Sequence, residues 1–259
     1  MPFGIKLVSP PAAIILAAGK GTRMNSDLPK VCHHVGGRAM VCAVVDACLH
    51  AGCDRIVVVV GYRQELVRQA LAEYADRIEF AVQREQLGTG DAVRAAHPAF
   101  ADDDDRDLFV LCGDGPLIHS ETLTTVLQQH RAHEAAATLA TSVLEDPTGY
   151  GRIVRDADGR FLRIVEQKNA TPAELEIREV NPSYYCFRSK DLWHALRRLE
   201  LNPTTREYYI TDVPAILLAE GKRVEVIDAV PPEDVLSINT PGELARVDAI
   251  YRARIGELR

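Results

Sequence analysis

"AAIILAAGKGTRMNSDLPK", residues 12–30, is the stretch that decides the fold. It opens with seven apolar residues, Ala12 to Ala18, and passes at once into Gly19-Lys20-Gly21-Thr22. An apolar run of that length bounded by glycines reads as a buried strand feeding a tight turn. Three kinds of glycine loop compete for that turn. A Walker loop needs four residues between its first glycine and a Gly-Lys pair, and the spacing here excludes it. A dinucleotide loop needs a third glycine where Met24 stands, because only glycine lets helix and strand pack that closely. What remains is a turn whose backbone N–H groups wrap phosphates, with Arg23 and Lys30 adding charge-assisted donors.

Working outward, short β-branched runs alternate with amphipathic stretches. Strands are expected at 13–16, 55–60, 79–82 and 108–112, and helices at 39–51, 63–74, 89–97 and 121–133. This alternation predicts a doubly wound α/β core with a mostly parallel, Rossmann-like sheet. The texture changes near Thr138. "TLATSVLE" (138–145) reads as a strand, and "GRIVRDADGRFLRIVEQK" (151–168) as two strands joined by a turn at Asp158-Gly159. A strand at 180–187, helices at 191–199 and 211–220, a strand at 223–230 and a last helix from Pro241 complete the expectation.

Composition narrows the function. The chain has 259 residues, 47% of them hydrophobic, and a net charge of −7 without a basic run, which speaks against a nucleic-acid partner. Any anionic ligand must therefore be met by local cations. The longest apolar stretches fall far short of the ~20 residues that span a bilayer, and Pro10-Pro11 interrupt the one leader-like segment, 6–18, so a cytoplasmic protein with no membrane partner is expected. Cys32, Cys42, Cys48, Cys53, Cys112 and Cys186 show no metal-ligand spacing and read as small buried hydrophobes in a reducing compartment. His33-His34 lack a partner at zinc spacing, and the four aspartates 102–105 repel one another as a solvated loop does.

Eight blocks then appear in order: "LAAGKGTRM" with "LPKV", "EQLGTG", "GDGPLI", "DPTGYGRIV", "IVEQKNA", "EVN", "EYYITD" and "SIN". Over residues 12–245 the chain resembles the sugar-1-phosphate nucleotidylyltransferases, most closely their N-acetylglucosamine-1-phosphate uridylyltransferase domain. The resemblance implies a nucleotide-diphospho-sugar transferase fold in one domain: a nucleotide-binding part (12–137), a hairpin-rich sugar-binding part (138–240) and a C-terminal helix (241–259). It implies UTP and a sugar-1-phosphate as substrates, magnesium as cofactor, and transfer of UMP with release of pyrophosphate. Leu16, Ala17, Ala18, Gly19, Gln83, Gly88, Thr89 and Gly113 would hold the nucleotide, and Arg23 and Lys30 would act as catalytic cations. Asp114 and Asn239 would be the metal ligands. Gly151, Glu166 and Asn181 would hold the sugar, with Lys168 near its phosphate.

Departures from the family pattern fall at Asp91, where histidine is common, at Cys112 in place of tyrosine, and at Pro182-Ser183 in place of Thr-Gly. The change after Asn181 keeps a glucose-1-phosphate thymidylyl- or uridylyltransferase as an alternative; a non-catalytic regulatory relative is another, against which the joint retention of Arg23, Lys30, Asp114 and Asn239 speaks. A dinucleotide-dependent oxidoreductase is a further alternative, disfavoured by Met24. The 20 residues after Asn239 read as one amphipathic helix with Leu244, Val247, Ile250 and Tyr251 on one face. No hexapeptide repeat of the β-helix that many such enzymes carry is present, so a single activity is expected.

Overall fold

Apolar runs become the central strands in the computed structural model, which describes residues 9–100 and 105–257. In chain order the strands are β1 (Ala12–Ala17), β2 (His34–Val35), β3 (Arg38–Ala39), β4 (Arg55–Val60), β5 (Glu79–Val82), β6 (Asp107–Cys112), β7 (Ala137–Val143), β8 (Gly151–Arg155), β9 (Phe161–Val165), β10 (Glu179–Arg188) and β11 (Val224–Asp228). The helices are α1 (Met40–His50), α2 (Gln64–Ala70), α3 (Thr89–Ala96), α4 (Ser120–Ala132), α5 (Pro172–Leu175), α6 (Ser189–Leu196), α7 (Val213–Ala219) and α8 (Pro241–Glu257). The main sheet runs β11-β7-β10-β6-β1-β4-β5, with β8 and β9 hung from β10. Along that path only β10 is antiparallel to its neighbours.

Strand burial explains the unbroken valines of β4. Helices cover both faces, so alternate residues of each strand enter opposite cores and neither set can be polar. Ala13, Ile15 and Ala17 pack with Val44 of α1 and Val126 of α4, whereas Ala12 and Ile14 pack with Val93 of α3 and Leu192 of α6.

The order β6-β1-β4 also places the site. β1 and β6 are parallel neighbours, with Leu16 opposite Cys112, yet β1's next strand in sequence to join this sheet, β4, lies on the other side. Connections leaving β1 and β6 therefore diverge, and a crevice opens beyond their carboxyl ends.

β10 is irregular where it meets the crevice. Its register shifts between Val180 and Tyr184, and Ser183 takes φ +66°. The 151–168 hairpin forms as expected, although its turn is longer than two residues. Asp156 Oδ1 accepts from the N–H groups of Asp158 and Arg160 at 2.9 and 2.8 Å, while Gly159 supplies φ +79°.

Some elements differ from expectation. Arg63 adopts φ +44°, so α2 starts one residue later and ends before a separate 3₁₀ turn, Ala72–Tyr74. A 3₁₀ turn, Ile210–Asp212, likewise precedes α7. The β2–β3 hairpin turns through Gly36 and Gly37, and Gly36 N–H donates to Asp248 Oδ1 of α8 at 2.7 Å. On α8 itself Val247 is buried, and Leu244, Ile250 and Tyr251 pack on the same core.

Cys112 is half-buried; the other five cysteines are buried, and all six are free. Residues 6–8 of the leader-like segment and Asp102, Asp103 and Asp104 lie outside the described residues. Among the described residues no helix is long and apolar enough to cross a membrane, and no group of three His, Cys, Asp or Glu side chains could hold a metal ion.

Candidate active site

Two adjoining clefts occupy the crevice. The first, about 320 Å³, is lined by Leu16, Ala17, Ala18, Gly19, Lys30, Gln83, Gly88, Thr89 and Asp114, together with Gly21, Val31, Gln86, Ala92, Cys112, Glu207 and Tyr209. The second, about 150 Å³, includes Arg23, Asp114, Tyr150, Gly151, Glu166, Asn181, Ser183 and Asn239. Cys112 and Asp114 belong to both walls, so the clefts meet at the end of β6.

The opening loop follows from its glycines. Gly21 lies at φ +70°, and a Cβ there would come within 2.5 Å of Lys30 Cβ, so glycine is what lets the lysine stem cross the turn. Met24 is 3% exposed and packs into the core beneath the loop, where it removes the dinucleotide alternative: the third position is an apolar anchor. Gly113 reaches neither cleft. Its N–H donates to Leu16 O at 2.9 Å, and it allows the two strand ends to touch.

Gln83, 4% exposed at the end of β5, donates from Nε2 to Gly88 O at 3.0 Å and to Asp91 Oδ2 at 2.8 Å. The departure at Asp91 is thereby accounted for, since its carboxylate faces the glutamine amide. Gly88, at φ +98°, lies against the 207–210 segment, and a Cβ there would sit 2.5 Å from Tyr208 O. Tyr208 N–H donates to Leu87 O at 2.7 Å, Gly90 N–H to Tyr208 O at 2.8 Å, and Ile210 N–H to Thr89 Oγ1 at 3.0 Å. This clamp carries Glu207 and Tyr209 into the first cleft. Neither was singled out from the sequence, although the "EYYITD" block contains both.

At the junction Lys30 Nζ pairs with Asp114 Oδ2 and donates to Asn239 Oδ1 at 2.7 Å, and Arg23 Nη2 donates to the same Oδ1 at 2.8 Å. Asn239 is available because it does not cap α8. Thr240 does: Glu243 N–H donates to Thr240 Oγ1 at 3.3 Å, and Glu243 Oε2 accepts from the Thr240 and Asn239 N–H groups.

In the second cleft Asn181 Nδ2 donates to Tyr185 Oη at 2.6 Å, and Asn181 Oδ1 accepts from Ser183 N–H at 3.2 Å. Thr211 Oγ1 donates to Glu166 Oε1 at 3.0 Å, and burial raises the Glu166 carboxyl above its ordinary value against that hydroxyl's opposing effect. Gly151 starts β8 opposite Asn181, where a Cβ would meet Ile164 Cγ2 at 3.0 Å. Lys168 sits exposed on a 3₁₀ turn and lines neither cleft.

Neither wall contains a histidine, and burial pushes the Cys112 thiol up to about 12, so it stays neutral. The arrangement can position and neutralise anions, and it offers no thiolate nucleophile.

Comparison with known proteins agrees with this chemistry. The family model described as nucleotidyl transferase matches residues 12–230. The chain is 44% identical over 250 residues to the bifunctional protein GlmU of Desulfotalea psychrophila, covering 96% of this chain and 73% of the relative. It is 45% identical to the protein of that name from Brevibacillus brevis over 94% of this chain, and 43% identical to that from Clostridioides difficile over 95%. The chain spans about half the length of the latter two, 52% in each case.

Proposed function

The chain belongs to the nucleotidyl transferase family, and from that premise we propose that it transfers UMP from UTP to N-acetylglucosamine-1-phosphate. A sugar-phosphate oxygen attacks the α-phosphorus. One O–P bond forms there as the bond to pyrophosphate breaks. The nucleophile is already an anion, so catalysis needs alignment and charge neutralisation and no general base. The first cleft takes the nucleotide, the second takes the sugar, and their shared wall at Asp114 is where the reacting phosphates meet.

The carrying observation is the convergence of Lys30 on Asp114 and Asn239 at that junction. In this reading Lys30 and Arg23 turn from these oxygens toward the phosphates and neutralise charge developing on the leaving pyrophosphate. Asp114 and Asn239 would hold a magnesium ion. The donor set fits: a carboxylate and an amide oxygen, both hard ligands, already reach one cation position together. Bound there, the metal would supply further neutralisation between the two phosphates. Glu166, Asn181 and Gly151 orient the sugar.

The relatives, alike over nearly the whole of this chain, do not favour the glucose-1-phosphate thymidylyl- or uridylyltransferase or the non-catalytic alternative. The test is pyrophosphate release from a matrix of UTP, dTTP, CTP and GTP against several sugar-1-phosphates. UTP with N-acetylglucosamine-1-phosphate should give the highest kcat/KM, and a different best pair would replace the reading.

A further inference from the structure

Both protons of the Gln83 amide are committed, one to the Gly88 carbonyl and one to the Asp91 carboxylate. Those partners carry lone pairs only, so the reversed amide would set its oxygen against two acceptors. The orientation is therefore fixed by chemistry. No described residue donates to Gln83 Oε1, that oxygen is open to solvent, and Gln83 lines the first cleft. A glutamine that could offer either a donor or an acceptor is thereby restricted to an acceptor.

We infer that Asp91 is a specificity-determining positioning residue: by locking the Gln83 amide it makes the first cleft select a base with a ring N–H opposite Oε1. Uracil has that N–H at N3, whereas cytosine has a lone pair there. The inference rests on the proposed nucleotide reading of this cleft. Asp91 acts through Gln83, and its bond, unlike the one to Gly88, is charge-assisted. It sits in the first turn of α3, where the helix dipole favours a carboxylate.

The experiment measures Kd for UTP and for CTP by calorimetry, and kcat/KM in competition, for the whole chain and its variants. Asp91→Ala leaves only the Gly88 carbonyl to oppose rotation of the amide and should lower the UTP:CTP ratio roughly tenfold. Asp91→Asn, whose Oδ1 still accepts, should stay within about threefold of the parent. If alanine does not fold, Asp91→Ser, too short to reach Nε2, reads the same ratio. Gln83→Ala separates the two readings. A ratio lowered by Gln83→Ala and untouched by Asp91→Ala or Asp91→Ser overturns the lock and leaves base recognition by Gln83 standing. A ratio untouched by Gln83→Ala, or a parent chain that binds both bases equally, overturns both. Equal weakening toward UTP and CTP in Asp91→Ala would mean a merely structural role, and also overturns the proposal.

Discussion

Lys30 and Asn239, 209 positions apart in the chain, are joined by a hydrogen bond of 2.7 Å from Nζ to Oδ1. The same ammonium pairs with Asp114, so one cation gathers the end of β6, the approach to α8 and the loop after β1. What each of the three contributes can be separated by measurement.

Asp114→Ala should lower kcat about 100-fold or more, the scale for losing a principal electrostatic stabiliser. Pyrophosphate release with saturating magnesium and substrates is the readout, alongside circular dichroism to establish folding. A folded variant with the parent's kcat would remove Asp114 from the chemistry.

Lys30→Ala should separate function from stability. The Lys30–Asp114 pair lines an open cleft, its side chains 16% and 21% exposed, so water can solvate Asp114 once the cation is removed and the loss should stay at about 1 kcal/mol. Urea midpoints should move little while kcat/KM falls at least tenfold. Parallel losses in both would mean that the cation mainly serves the fold.

Gly88→Ala and Gly159→Ala form a matched pair. Both glycines have positive φ, and Gly88, with ψ −179°, also lies in a region nearly closed to alanine, so its backbone cost, on the order of 1–3 kcal/mol, adds to any contact cost. Gly159 has open space around it, whereas Gly88 lies against the Tyr208 backbone. The Gly88 variant should be the less stable by roughly a further 1 to 3 kcal/mol, measured by urea unfolding. Equal losses would show that the Gly88 backbone and the 207–210 segment both yield freely.

A fourth expectation concerns pH. His130 is 1% exposed, with Nδ1 3.0 Å from Thr138 Oγ1, and burial lowers its pKa from 6.5 to about 4, against partial opposition from Asp107. Between those values the unfolded chain binds the extra proton, so this contribution to stability is complete above pH 6.5 and is lost as pH falls toward 4. The slope approaches 1.4 kcal/mol per pH unit at its steepest. In His130→Gln the urea midpoint should vary less between pH 6.5 and 4. An unchanged profile would assign acid sensitivity to other groups.

The sheet was legible because its evidence is local. A run such as 55–60 can be buried on both faces only in a helix-covered sheet, and the alternation with amphipathic stretches says as much. The β2–β3 hairpin was not legible: two residues have no period, and part of its reason lies on α8, where Asp248 accepts from Gly36. Arg63 at φ +44° carries no marker that would have moved the start of α2. Asn239 stands close enough to Pro241 to have been a helix cap, although the resemblance made it a ligand. Thr240 and Glu243 take the capping role, and their Thr-x-x-Glu spacing was open to the eye. Asp91 stood out as a departure, but its bond to Gln83 crosses from the end of β5 to α3, a meeting that only the fold brings about.

The order of synthesis gives the Thr240 cap a further consequence. A ribosome delivers Arg23, Lys30 and Asp114 long before Asn239, and β6 stays an edge strand until β10 has emerged. A nascent chain halted short of Asn239 could already hold its parallel strands and both glycine turns, with Lys30 facing Asp114 and Arg23 lacking its amide acceptor. Only when α8's first turn forms is Asn239 fixed at the junction. The junction of Lys30, Arg23 and Asp114 is therefore completed only after residues 239–243 have been made, well behind the strands of the sheet on which it rests.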